Sequence, residues 1–207
     1  MKKILVILFC ALLVSRYAHA DDYEEKVKKM SDEAAKGCAT FEDKVRALRH
    51  YVHIKMQVPI PAVKPNGDPI DPDEITPLNT IQKLTSGYGG WCYHQATVFT
   101  HLARKQGITT RLVLLLNRER TESPHTIAEA FDGKRWVIVD PYFDMELINK
   151  DGKMASREDI IKDMDILRNS PTVKELAKKD SRWKNDRFLR MYTNPPTVRK
   201  ARPGDTI

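Results

Sequence analysis

The 207-residue sequence predicts an α+β domain: a central helix packed on an antiparallel β-sheet, with N-terminal and C-terminal helices around it. Three observations predict it. A helical apolar pattern follows directly on the glycine-rich turn Gly87-Tyr88-Gly89-Gly90-Trp91-Cys92. Two alternating apolar runs, 125–131 and 134–139, flank Asp132-Gly133, which is hairpin chemistry. Amphipathic helical patterns stand on either side of this stretch. The length suits one ordinary domain with a real core, and 41% hydrophobic with 30% charged residues is a globular composition.

The first twenty residues stand apart. Met1-Lys2-Lys3 is a charged start, residues 4–14 an apolar run, and Ala18-His19-Ala20 a small-x-small ending. Together they make a secretory signal peptide, too short for a membrane span. Cys10 lies mid-run without a small residue before it, which argues against a lipoprotein anchor. The mature chain is therefore expected to be secreted or periplasmic and not membrane-spanning. Losing Lys2, Lys3 and Arg16 lowers the formal charge from +7 to +4. That mild basicity does not call for nucleic acid, and none is expected as a partner. Only Cys38 and Cys92 remain. They read either as one disulfide or as a reactive thiol beside a bystander, and the setting of Cys92 favours the thiol.

Residues 21–74 read as N-terminal helices and a proline-rich loop of the same domain. In 22–36, Tyr23, Val27, Met30 and Ala34 recur at helical steps, and Gly37 ends the helix. Thr40 caps a second helix with Asp43 as its partner, and Phe41, Val45, Leu48, Val52 and Met56 form the buried stripe. His50 and His53 flank that stripe on the surface. Six prolines at 59, 61, 65, 69, 72 and 77 then make a structured loop, which could wall a cleft. Its Asp68, Asp71, Asp73 and Glu74 match no EF-hand spacing.

Residues 75–148 carry the core of the argument. Thr80 to Leu84 reads as a short helix. Gly89 and Gly90 let the backbone turn before Cys92. Ala96, Phe99, Leu102 and Ala103 are helical, with Gly107 as the stop. Leu112 to Leu116 is a buried strand, and 125–131 and 134–139 complete a meander around a two-residue Asp132-Gly133 turn. His94 and His101 share a helix face, but Cys92-x-His94 falls short of the ligands a zinc site needs. Trp91 and Trp136 read first as core aromatics, Trp91 with a second role as substrate platform beside Cys92. No metal and no cofactor are called for.

Residues 149–207 read as a basic helical extension. Ser156 caps one helix through Ile160, Ile161 and Met164, and a second runs from Thr172 to about Met191. From 171 onward ten Lys/Arg face four Asp/Glu, a solvated face or a grip for an anionic envelope polymer. The end after Asn194-Pro195-Pro196 is extended or mobile.

The chemistry converges on three residues. A thiol becomes a nucleophile as thiolate, which a helix N-terminus and a neighbouring imidazolium both favour. Cys92 stands first in its helix, His125 opens a strand and Asp140 closes the next. A two-residue turn at Asp132-Gly133 puts Asp140 opposite His125. In such a trio the cysteine attacks, the histidine shuttles the proton and the aspartate fixes the imidazole. The backbone N–H of Cys92, with Asn79, Gln82, Tyr88 or Trp91, would supply oxyanion donors.

Residues 75–143 resemble the transglutaminase-like branch of the papain-type thiol enzymes. The resemblance rests on Gly89-Gly90-Trp91-Cys92, Gly107-Ile108, His125 and Trp136-Val-Ile-Val-Asp140-Pro141. It implies a helix packed on an antiparallel sheet and catalysis by Cys92, His125 and Asp140. It also implies hydrolysis or transfer of an amide in a peptide, protein or cell-wall substrate. The family often has an aromatic two residues after the histidine, where this chain has Ile127. The alternative of a different class is a non-catalytic binding module for an envelope polymer or protein, and a Cys38–Cys92 disulfide would make Cys92 structural.

Overall fold

A computed structural model describes residues 24–56, 90–117, 119 and 123–199. The signal segment, the proline-rich loop with its four acidic residues, the short helix at 80–84, and Asn79, Gln82, Tyr88 and Gly89 lie outside the described residues.

Helix α1 (24–34) ends at a turn in which Gly37 takes φ +80°, a conformation that suits glycine. Helix α2 (Phe41–Lys55) starts as its cap chemistry dictates: Thr40 Oγ1 accepts the Asp43 N–H at 3.1 Å and donates to the Asp43 carboxylate at 2.7 Å. Val45, Leu48, Val52 and Met56 are buried, and Phe41 is partly so. Helix α3 (Cys92–Lys105) lies against α2 through Ala96, Phe99, Leu102 and Ala103. Ser31 of α1 donates to the Leu102 carbonyl at 2.7 Å, tying α1 to α3.

Strands β1 (Thr110–Leu115), β2 (His125–Phe131) and β3 (Trp136–Val139) form the antiparallel meander. The chain end returns as β4 (Thr197–Arg199) beside β1, giving the order β3-β2-β1-β4. Of the end expected to be extended or mobile, Thr197–Arg199 thus form a fourth strand, and residues 200–207 lie outside the described residues.

The expected two-residue hairpin is corrected. Phe131 pairs with Trp136, and residues 132–135 form the turn, closed by the Asp132 N–H on the Arg135 carbonyl. The Asp132 side chain accepts the N–H groups of Lys134 and Arg135, and Gly133 takes φ +95°. The register moves by two residues, so Asp140 comes level with Ile127 and sits diagonally from His125. An even shift leaves every side chain on its predicted face.

The sheet has a core on each face. Leu112, Ala128, Ala130, Val137 and Val139 pack with the helices α1–α3. Val113, Leu115, Ile127 and Ile138 pack on the other side against residues of the C-terminal segment. That segment runs through α4 (Arg157–Lys162), α5 (Asp165–Arg168), α6 (Pro171–Lys179) and α7 (Asp186–Leu189). Ser156 caps α4 as expected. The single helix expected from Thr172 to Met191 is instead interrupted. Asp180 and Asn185 are extended and cap new turns, accepting the N–H groups of Arg182 and Arg187. Short Asp and Asn side chains compete for local backbone donors and so restart a helix rather than continue it. The extension therefore covers the second face of the sheet.

Candidate active site

The turn into α3 is stitched to the end of α2. Gly90 donates to the Met56 carbonyl at 3.4 Å, and Gln95 Nε2 reaches the Gly90 carbonyl at 3.0 Å and that of Met56 at 3.4 Å. A Cβ on Gly90 would lie 2.6 Å from Met56 Cε and 2.8 Å from His94 Cβ. Close approach, rather than a positive φ, therefore demands this glycine. His94 is buried, and its Nδ1 accepts the Trp91 N–H at 3.1 Å, capping the helix. Trp91 itself is 60% exposed. Among the described residues no group of three or more His, Cys, Asp or Glu side chains is placed to hold a metal.

Cys92 is the first residue of α3, half-buried, and both it and Cys38 are free thiols. The His125 ring and the backbone of Thr126 stand beside the Cys92 sulfur and act on its charge. His125 Nε2 meets Asp140 Oδ2 at 2.7 Å, both side chains buried. With Nε2 committed to the carboxylate, Nδ1 is the ring nitrogen left for the sulfur. The three polar residues singled out in the sequence thus come together, with the His125–Asp140 hydrogen bond beside the Cys92 sulfur.

Burial pushes the Cys92 thiol up, but the hydrogen bond and charge of His125 and the Thr126 N–H outweigh it and leave the thiol below its ordinary value of 9.0. Burial likewise disfavours a charged His125. The charge and hydrogen bond of Asp140, then those of Cys92, overcome it and raise the ring to about 10. The two groups titrate as a pair, and the pair favours thiolate and imidazolium.

Asp140 has partners the sequence did not reveal. The Tyr192 hydroxyl donates to Oδ2 at 2.7 Å, and the Phe143 N–H reaches Oδ1 at 3.3 Å. Tyr192 is fully buried; that burial, then the Asp140 charge, raises its hydroxyl well above 10 and keeps it a donor. Aromatic rings surround the imidazole, with Tyr142 at 5.9 Å, Phe143 at 5.0 Å and Tyr192 at 6.4 Å between centroids. The loop after Asp140 is gripped by α2. Arg49 Nε donates to Asp144 at 2.7 Å and its Nη1 to the Met145 carbonyl at 3.3 Å. His50 meets Asp144 at 2.8 Å, and His53 Nδ1 lies 3.1 Å from the Pro141 carbonyl. The two histidines thus hold this loop as well as flanking the stripe. Ile127 is buried in the second core.

A helix N-terminus presenting a cysteine to a histidine and an aspartate, on an antiparallel sheet, is the architecture of a transglutaminase-like core. The transglutaminase-like superfamily profile matches residues 28–141, more than half of the chain. The chain belongs to that superfamily. Among solved structures, a "putative cysteine protease" from Cytophaga hutchinsonii aligns with TM-score 0.42 and 19% identity, covering 57% of this chain and 37% of that one. This chain therefore spans well under half the length of that structure. A search of curated proteins gives no match.

Proposed function

We propose that the protein is an exported thiol enzyme that cleaves or transfers an amide through Cys92, His125 and Asp140. The Cys92 thiolate attacks the carbonyl carbon, and the His125 imidazolium gives its proton to the leaving amine. A thioester remains on Sγ. Water or a second amine, deprotonated by His125, then takes the acyl group and restores the thiol. Asp140 holds the ring and offsets its charge. The N–H of Cys92, at the start of α3, is the first oxyanion donor. The observation that carries this reading is the buried His125–Asp140 hydrogen bond beside Cys92, with the thiol lowered and the imidazole raised. The substrate is a peptide, protein or cell-wall amide in the secreted or periplasmic space. The basic C-terminal region offers a contact for an anionic envelope polymer.

Labelling with an acylating thiol probe tests the chemistry. Cys92 is expected to be modified selectively over Cys38, and Cys92→Ala to lose the label. Undiminished labelling of that variant overturns the reading. Sequencing the mature N-terminus tests export, with Asp21 expected first and an intact Met1 contradicting it.

A further inference from the structure

Tyr192 lies beyond the 28–141 match and far from the thiol in sequence, yet it touches the buried acid of the site. Its hydroxyl donates to Asp140 Oδ2, the same oxygen that meets His125 Nε2, both at 2.7 Å. Both side chains are fully buried, so water cannot replace the donor. A buried carboxylate that loses a donor keeps its desolvation cost. We propose that Tyr192 is a positioning residue for the reaction, fixing the Asp140 carboxylate so that the His125 ring presents its other nitrogen to Cys92. The C-terminal segment is then part of the active site rather than an appendage to it. This inference rests on the acyl-transfer reading above.

The rest of the segment is arranged to hold Tyr192 still. Arg157 Nη2 donates to the Thr193 carbonyl at 2.5 Å and Asn194 Nδ2 to the Leu116 carbonyl at 3.0 Å, pinning the two residues that follow it. Ahead of it, Trp183 stacks edge-on against Phe143 at 4.7 Å and against Phe188 at 5.1 Å, and Phe143 lies 5.0 Å from the imidazole. One segment thus supplies both a hydrogen bond to the acid and an aromatic contact chain to the base. The titratable groups around this acid and base are Cys92 from α3, Tyr142 from the loop after Asp140, and Tyr192 itself.

A double-mutant cycle separates positioning from packing. Tyr192→Phe keeps the ring and removes only the hydroxyl. The readout is the first-turnover release of p-nitrophenolate from p-nitrophenyl acetate as the acetyl group moves to Cys92, with the site assigned by peptide mapping. Tyr192→Phe is expected to slow acylation about tenfold or more, the scale of losing a hydrogen bond to a charged group. In an Asp140→Asn background it should cost less than about twofold, because its effect passes through that carboxylate. An effect under about twofold in the native background, or an equal effect in both, overturns the proposal. The proton resonance of the His125 Nε2–H gives a second readout without turnover. It should move in Tyr192→Phe, and an unmoved resonance also overturns the proposal. If Cys92 in the unmodified protein takes no acetyl group, the acyl-transfer reading fails, and the imidazole resonance alone decides the role of Tyr192.

Discussion

Replacing Asp140 by Asn swaps one oxygen for an NH2 group at a fully buried position with three hydrogen-bond partners, two side chains and one backbone N–H. Oδ2 accepts from His125 and Tyr192, and Oδ1 accepts the Phe143 N–H. An asparagine cannot serve all three. If its oxygen takes the Oδ2 place, its NH2 faces the Phe143 donor. If it flips, the NH2 faces Nε2 and selects the tautomer with its proton on Nδ1, which cannot accept from the thiol. Either arrangement leaves a buried donor unpaired, worth about 1–3 kcal/mol of stability. The larger effect is on the base. The charge that holds His125 at about 10 is gone, while the burial that opposes a charged ring remains. The imidazolium–thiolate pair then ceases to be the favoured state. Acylation should fall about 10²–10⁴-fold, the span of a lost general acid–base contribution. The assay is the rate of Cys92 modification by an activated ester across pH, with the His125 ring followed by NMR. An Asp140→Asn protein that acylates within about threefold of the original, or whose imidazole still titrates near 10, would refute the reasoning.

Further predictions follow from the same contacts. His125 has a folded midpoint of about 10 against an ordinary 6.5. Its pairing therefore contributes stability fully present below the ordinary value and lost as pH rises through about 10. The melting-temperature advantage over Asp140→Asn should shrink between about pH 7 and pH 11, and a constant gap would contradict the assignment. Arg49→Met leaves Asp144 half-buried without its closest cationic partner, and should cost about 3 kcal/mol in denaturant unfolding. A loss within experimental error would mean the α2 grip on this loop is superficial. Gly90→Ala forces a methyl against Met56 and His94 at the entrance to α3, and should cost about 1–3 kcal/mol and slow Cys92 modification. Unchanged stability would show that Met56 swings aside freely.

The parts of the fold set by local chemistry were legible. Thr40, Ser156 and Gly37 mark boundaries by capping and handedness, and the structure uses all three. The Cys92, His125 and Asp140 positions were legible for a subtler reason. The turn at 132–135 holds two more residues than Asp132-Gly133 alone suggests, yet face parity survives an even shift, so Asp140 stays on the side of His125. The return of 197–199 as an edge strand was hidden because three residues carry too little period to announce a partner. Tyr192 was hidden because nothing in a lone tyrosine on a basic segment names a carboxylate 52 positions away. The breaks at Asp180 and Asn185 could have been read, since each is a capping residue within an otherwise helical pattern.

The charge state of Cys92 tests the central claim most directly. Thiolate absorbance, followed through a pH titration and assigned by loss of the signal in Cys92→Ala, gives its midpoint. The account predicts a midpoint below the ordinary thiol value of 9.0 and a rise when His125 is replaced by Ala. A midpoint at or above that value, or one indifferent to the loss of the imidazole, would contradict it.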